Sequence, residues 1–248
     1  MSQQIKVKRA LVSVWDKSGL DTFVSGLQEL GVQILSTGGT ARAIREAGVE
    51  VTDVAEVTGF PEMLDGRVKT LHPVIHGGLL ARRDDEAHMA TIAEHGIELI
   101  DLVCVNLYPF EQTVANPDCD LPTAIENIDI GGPALIRAAA KNHPWVLPVV
   151  DPDDYDAILE ALRAANGDPA GVTAEVRRRL AAKAFQHVAH YDTAVAEYLR
   201  ADDDPFPAQL TVAATRREEL RYAENPHQRG AFYRHDSVRV PAEGLGGF

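Results

Sequence analysis

The chain has 248 residues, a formal net charge of −13, 45% hydrophobic and 25% charged residues, and two cysteines. This is the mix of an ordinary globular protein long enough to bury a core unaided, and its acidity argues against free nucleic acid or an anionic membrane as a general partner. No apolar run approaches about 18 residues and the N-terminus lacks an apolar signal-like stretch, so no membrane span or signal peptide is expected, and Cys104 and Cys119, lacking C-x-x-C pairing, fit a reducing cytoplasm.

Residues 9–15 (RALVSVW) read as a strand. Ser18 reads as the N-cap of a helix with Leu20, Phe23, Val24, Leu27 and Leu30 at helical spacing, closed by Gly31. Residues 32–35 form the next strand, 40–47 a helix ended by Gly48, and 49–54 a third strand. Short β-α-β-α-β connections imply a parallel sheet with helices on its faces. Residues 56–84 lack clean periodicity, and a stretch of that length inside a compact domain is usually either functional or a misassigned element. A helix over 86–95 precedes LIDLVCVNL (99–107), whose near-continuous apolar character marks a central parallel strand. Helices over 121–128 and 133–142, broken by DIGG, lead to a strand at 145–150, a helix at 153–165 and one long helix at 172–199. ADDDPFPAQ, from residue 201, reads as a linker, and the residues beyond it are too few for a core of their own.

The candidate chemistry sits at strand ends. In open parallel sheets, ligands collect at the C-terminal ends of the strands. Ser36, Thr37, Gly38, Gly39 and Thr40 lie at such an end and open a helix, so hydroxyls and free amides there suit a phosphate. A tight turn that binds nothing competes equally on this motif alone. Ser13 and Lys17 flank the end of the first strand, which parallel topology places beside that loop. GRVKTLHP adds Arg67, Lys69 and Thr70; a lysine in a dry pocket can stabilise a developing oxyanion or move a proton, but an exposed basic loop is commoner. Asn106 and Tyr108 end the central strand, where an amide and a phenol could hold a heterocycle or simply pack. Asp129 precedes Ile130, Gly131 and Gly132, whose amides would be exposed donors, although Asp129 also fits a plain N-cap. Lys141 falls near a helix C-terminus, where the dipole favours a cation. His72/His76 and His187/His190 read as structural or surface histidines; no metal site and no nucleophile elbow is expected.

Together, SVWDKSGL, STGGTA, TGFPEMLDGRVKTLHP, NLYPF, IDIGG and RAAAKNH, in that order, resemble the N-terminal domain of the bifunctional purine biosynthesis family, AICAR transformylase/IMP cyclohydrolase. The resemblance covers about residues 9–200. It implies an α/β fold of the methylglyoxal-synthase-like, Rossmann-related kind: a parallel sheet with helices on both faces, plus C-terminal helices. It assigns residues 1–200 to a cyclohydrolase domain, with the core at about 1–150. Residues 201–248 become a linker and the truncated start of the transformylase domain, whose opening LRYAENPHQ resembles.

The implied reaction is dehydrative ring closure of the formamido-imidazole carboxamide ribotide (FAICAR) to inosine monophosphate (IMP), with no metal and no cofactor. Transformylase activity is not expected of this chain. The family implies a homodimer, but much of its dimer contact lies in the half this sequence lacks, which leaves a monomer open for this chain. By resemblance, Ser13, Lys17 and residues 36–40 bind the ribose phosphate, while Arg67, Thr70, Asn106, Ile130, Gly131 and Gly132 frame the base and carboxamide. Lys69, Tyr108, Asp129 and Lys141 are the implied catalytic group. Since lysines are ordinarily cationic and aspartates anionic at neutral pH, Lys69 is assigned to the oxyanion, Asp129 with Tyr108 to the carboxamide proton, and Lys141 to charge balance or the proton network. The competing readings are a nucleotide-sensing regulatory module and a phosphate-eliminating methylglyoxal synthase, both of the same fold.

Overall fold

A computed structural model describes residues 6–64, 66–200, 206–225 and 227–238. Five parallel strands form one sheet in the order β3-β2-β1-β4-β5: β1 (Arg9–Ser13), β2 (Gln33–Ser36), β3 (Thr52–Asp53), β4 (Leu102–Val105) and β5 (Leu147–Val149). The order reverses between β1 and β4, so the adjacent C-terminal ends of these two strands form the crevice where open α/β sheets bind ligands.

Alternation along the strands feeds two faces. Ala10, Val12, Ile34, Leu102, Cys104, Leu147 and Val149 share one apolar cluster with α1 (Leu20–Glu29) and α9 (Tyr155–Ala164). Phe23 of α1 stacks on Tyr155 of α9, with ring centroids 4.2 Å apart. Leu11, Leu35 and Val103, of opposite parity, are equally buried. On β4 and β5 packs α8 (Gly131–Lys141), and α4 (Pro73–Leu80) packs on α8. The Asn142 amide donates to the carbonyls of Leu79 and Ala81 at 2.7 and 3.0 Å, satisfying the end of α4 from the end of α8. All four residues of β4 are buried, which explains its unbroken apolar sequence.

The same unit (6–108 and 129–188) also contains α2 (Gly38–Glu46), α3 (Val54–Thr58), α5 (Glu86–Glu94) and the first part of α10 (Ala174–Leu199). The second unit contains α6 (Phe110–Val114), α7 (Leu121–Glu126), the end of α10, and an antiparallel pair, β6 (Ala214–Leu220) and β7 (Gly230–His235). Inside it, Phe110 is buried edge-on against Tyr191 and Tyr198. The linker expected from residue 201 falls, for residues 201–205, outside the described residues.

Three local expectations are corrected. Ser18 does not cap α1; its hydroxyl and amide both bond the Asp16 carboxylate, and Gly19 takes the cap position at φ 66°. Helices α2 and α8 each begin two residues earlier than expected, so both glycine pairs fall in the first turn of a helix. Helix α4 arises inside the aperiodic stretch, with Pro73 in its first turn and His72 Nδ1 accepting from the Val74 amide. Gly78 lets α4 press against the chain entering β4: a β-carbon there would lie 2.6 Å from the Glu98 carbonyl oxygen. Gly78→Ala should therefore destabilise the protein by about 1–3 kcal/mol, read as a lower urea midpoint at unchanged m-value.

Candidate active site

The β2 end supplies the first part of the site. Ser36 is fully buried and donates to the Val12 carbonyl at 2.7 Å, which welds β2 to β1. Thr37 caps α2 by backbone position only, since its side chain makes no capping bond. Gly38 and Gly39 are exposed at the helix start, and Gly38 has φ 50°, a conformation that costs an L side chain about 1 kcal/mol or more. A β-carbon at either glycine would meet nothing within 4 Å, so the space beside the start of α2 is open. This is an uncrowded helix N-terminus, favourable to an anion.

Ser36 and Thr37 line a pocket of about 290 Å³ together with Phe60 and Lys69. Lys69 reaches it from a small hairpin closed by paired bonds between Met63 and Val68, which also carries Arg67. Asp53, Glu56 and Glu62 complete the rim, so the lysine works beside acids rather than within a cationic cluster.

Thr70, next to Lys69, is buried and leads to a second group. A β-carbon on Gly131 would sit 2.9 Å from the Thr70 hydroxyl oxygen. One on Gly132 would lie 2.5 Å from Asp129 Oδ2 and 2.7 Å from Leu107 Cδ2. Asp129 Oδ1 accepts from the Gly132 amide at 2.9 Å. Only glycine lets the start of α8 come this close to Asp129 and the end of β4. Ile130 is exposed at this corner.

Like the Ser36 hydroxyl, the side chains of two more expected binding residues are spent on the scaffold. Asn106 Oδ1 accepts from the Trp15 and Asp16 amides at 2.7 and 3.0 Å, and its Nδ2 donates to the Asp16 carbonyl at 3.2 Å. The Thr40 hydroxyl accepts from the Val14 amide and donates to the Val14 carbonyl, at 3.0 and 2.9 Å. Both therefore hold the loop after β1. Ser13 ends β1 opposite Val105. Lys17 is exposed and bonds back to the Trp15 carbonyl at 3.3 Å. The Ser18 hydroxyl bond to Asp16 lowers that carboxyl's pKa, so the loop carries a fixed negative charge beside Lys17.

Tyr108 follows the end of β4 and meets the Trp15 ring edge-on, with centroids 5.7 Å apart at 77°. Trp15 stands inside the SVWDKSGL motif, but nothing in the sequence assigns its ring a role. Lys141 stands apart. With 11 residues in α8, it lies about 15 Å along the axis from Gly131. It lines a different pocket, of about 680 Å³, with His76, Arg137, Arg178 and Phe185; the Arg137 guanidinium lies 5.6 Å from the Phe185 ring centroid.

The buried thiol of Cys104 donates to the Tyr155 hydroxyl and is pushed up to about 12 by burial, which removes it as a nucleophile. His187 Nε2 accepts from the Leu107 amide. Among the described residues no cluster of three or more His, Cys, Asp or Glu could hold a metal ion, and no helix is long and apolar enough to cross a membrane.

Residues 19–134 match the MGS-like domain, and residues 139–246 match the family described as the AICARFT/IMPCHase bienzyme. Among curated relatives, the bifunctional purine biosynthesis protein PurH of Shouchella clausii is 58% identical over 91% of this chain and 44% of its own length. The PurH proteins of Listeria monocytogenes and Bacillus cytotoxicus are 57% and 54% identical, each over 92% of this chain and 44% of their own length. The chain thus spans less than half the length of these relatives. The crystal structure of ForH superposes with a TM-score of 0.69 at 42% identity, covering 78% of this chain and 98% of that one.

Proposed function

The chain belongs to the family of bifunctional purine biosynthesis proteins, and on that footing we propose that it is an IMP cyclohydrolase, closing FAICAR to IMP with loss of water. The observation that carries the reading is the meeting of Ser36, Thr37 and Lys69 around one pocket at the C-terminal edge of the sheet. Thr70, adjoining Lys69, leads from there to Asp129 and the glycine-opened start of α8. That arrangement offers an anion cradle for the ribotide phosphate and, beside it, a cation and a carboxylate for the ring atoms.

The chemistry needs little more. The carboxamide nitrogen bonds to the formyl carbon of the same molecule and gives up one proton. The resulting carbinolamine loses its hydroxyl as water, with the second proton coming from the formamido nitrogen. No electrons are transferred, so the step consumes no cofactor. Holding the two groups in contact supplies much of the rate, because the reaction is intramolecular. Lys69 stabilises the oxygen as it gains negative charge and then assists its departure. Asp129 takes the carboxamide proton, with Tyr108 orienting that group. The amides of Gly38 and Gly39, with Lys17, hold the phosphate. Lys141, a helix length from Gly131, contributes longer-range charge rather than contact.

Mixing the chain with FAICAR and following absorbance tests the reading. IMP formation is the expected result. FAICAR binding without ring closure would instead identify a ligand-sensing module. A parallel assay with AICAR and formyl-tetrahydrofolate should show no formyl transfer by the 248-residue chain alone.

A further inference from the structure

Trp15 is one of two tryptophans in the chain, and it lies in the crevice where the strand order reverses. It follows β1, and Tyr108 follows β4. These strands are parallel neighbours in register, with Ser13 opposite Val105, so both rings leave the same end of the sheet side by side. The loop beneath is fixed, because Asn106 accepts from the Trp15 amide. The two rings meet edge to face, yet Trp15 stays 45% exposed and Tyr108 38% exposed. Two large aromatic rings, locked to each other and still half open, leave a preformed apolar surface at the mouth of the crevice. Leu107, next to Tyr108, closes on Gly132, so this surface adjoins the corner holding Asp129.

A planar, electron-poor heterocycle suits such a surface: offset stacking or an edge contact gains affinity beyond area burial, and two stiff side chains lose little entropy. We propose that Trp15 contacts the substrate, its indole and the Tyr108 ring together forming the wall against which the heterocycle of a purine ribotide lies. The inference rests on the cyclohydrolase reading and extends it to a residue that the chemistry of ring closure does not itself require.

IMP is the probe, with affinity measured by calorimetry and intrinsic emission followed in the same titration. Trp15→Ala should weaken IMP binding roughly tenfold, while Trp15→Phe, which keeps an aromatic face, should stay within about twofold of wild type. IMP should change the emission of the wild-type protein, and that change should vanish in Trp15→Phe, where the half-buried Trp145 alone remains. A residue that merely supported the loop would not produce rescued affinity together with a lost emission change. Equal IMP affinity in Trp15→Ala and wild type, or an emission change that persists in Trp15→Phe, would overturn the role of Trp15 and leave the cyclohydrolase reading standing. Failure of the wild-type protein to bind IMP would overturn both.

Discussion

Lys69→Ala should lower kcat for FAICAR cyclisation by about 10²- to 10³-fold, the usual loss when one oxyanion donor is removed. Its effect on IMP affinity should be small, within roughly threefold, because a group that acts mainly in the transition state affects kcat more than ground-state binding. Lys69 is exposed on a hairpin and shares its pocket with Ser36 and Thr37, so no buried packing depends on it. The folded structure and melting temperature should therefore survive the substitution, and the kinetic loss can be read as chemistry. Single-turnover measurements with saturating FAICAR provide the check. A variant with wild-type kcat would remove Lys69 from the reaction. A variant with normal kcat and greatly raised KM would assign it to phosphate binding instead.

The frame was legible wherever one physical signal dominated. Leu20, Phe23, Val24 and Leu27 fixed α1 because its apolar stripe has to face the sheet. LVCV announced a central strand because both its faces are covered. Helix α4 was hidden because PVIHGGLL is apolar almost all round and carries two glycines, each of which weakens a helix by about 1 kcal/mol. The benefit that offsets this is close approach, Gly77 to Ile97 and Gly78 to Glu98, and both partners lie about 20 residues away in sequence. The β6–β7 pair was unread because ATRREEL is exposed throughout and offers no period-2 alternation.

In the site, sequence supplied residue types but not the direction of their bonds. Thr40 and Asn106 look like ligand donors on paper, yet the fold commits both to the backbone of the β1 loop. Lys141 shares a short motif with helix α8, but an 11-residue helix carries it away from Asp129. Trp15 sits inside SVWDKSGL, but the place of its ring becomes visible only when β1 and β4 lie side by side.

Asp101→Ala should cost about 3–5 kcal/mol of folding stability, the range for leaving one member of a buried ion pair alone. Asp101 sits just before β4, at the opposite end of the strands from Ser13 and Ser36, and is 4% exposed. Its Oδ2 accepts from the Lys8 and Arg9 amides at 2.7 and 2.9 Å, which anchors the start of β1 beside β4. Its Oδ1 lies 2.7 Å from the Arg83 guanidinium, itself largely buried. Removing the carboxylate strands two amide donors and leaves the buried cation without its counter-charge, although Arg83 Nη2 still donates to the Ile100 carbonyl at 3.1 Å. Adding Arg83→Leu should recover part of the loss, because the buried charge then disappears, but not all of it, because the two amides stay unpaired. Urea unfolding of both single variants and the double variant measures that coupling directly. Ring closure per folded molecule should be unchanged in each, since the pair lies at the far end of the sheet from the candidate site. Additive losses would show that Asp101 acts through the β1 amides alone and that Arg83 contributes nothing to its cost.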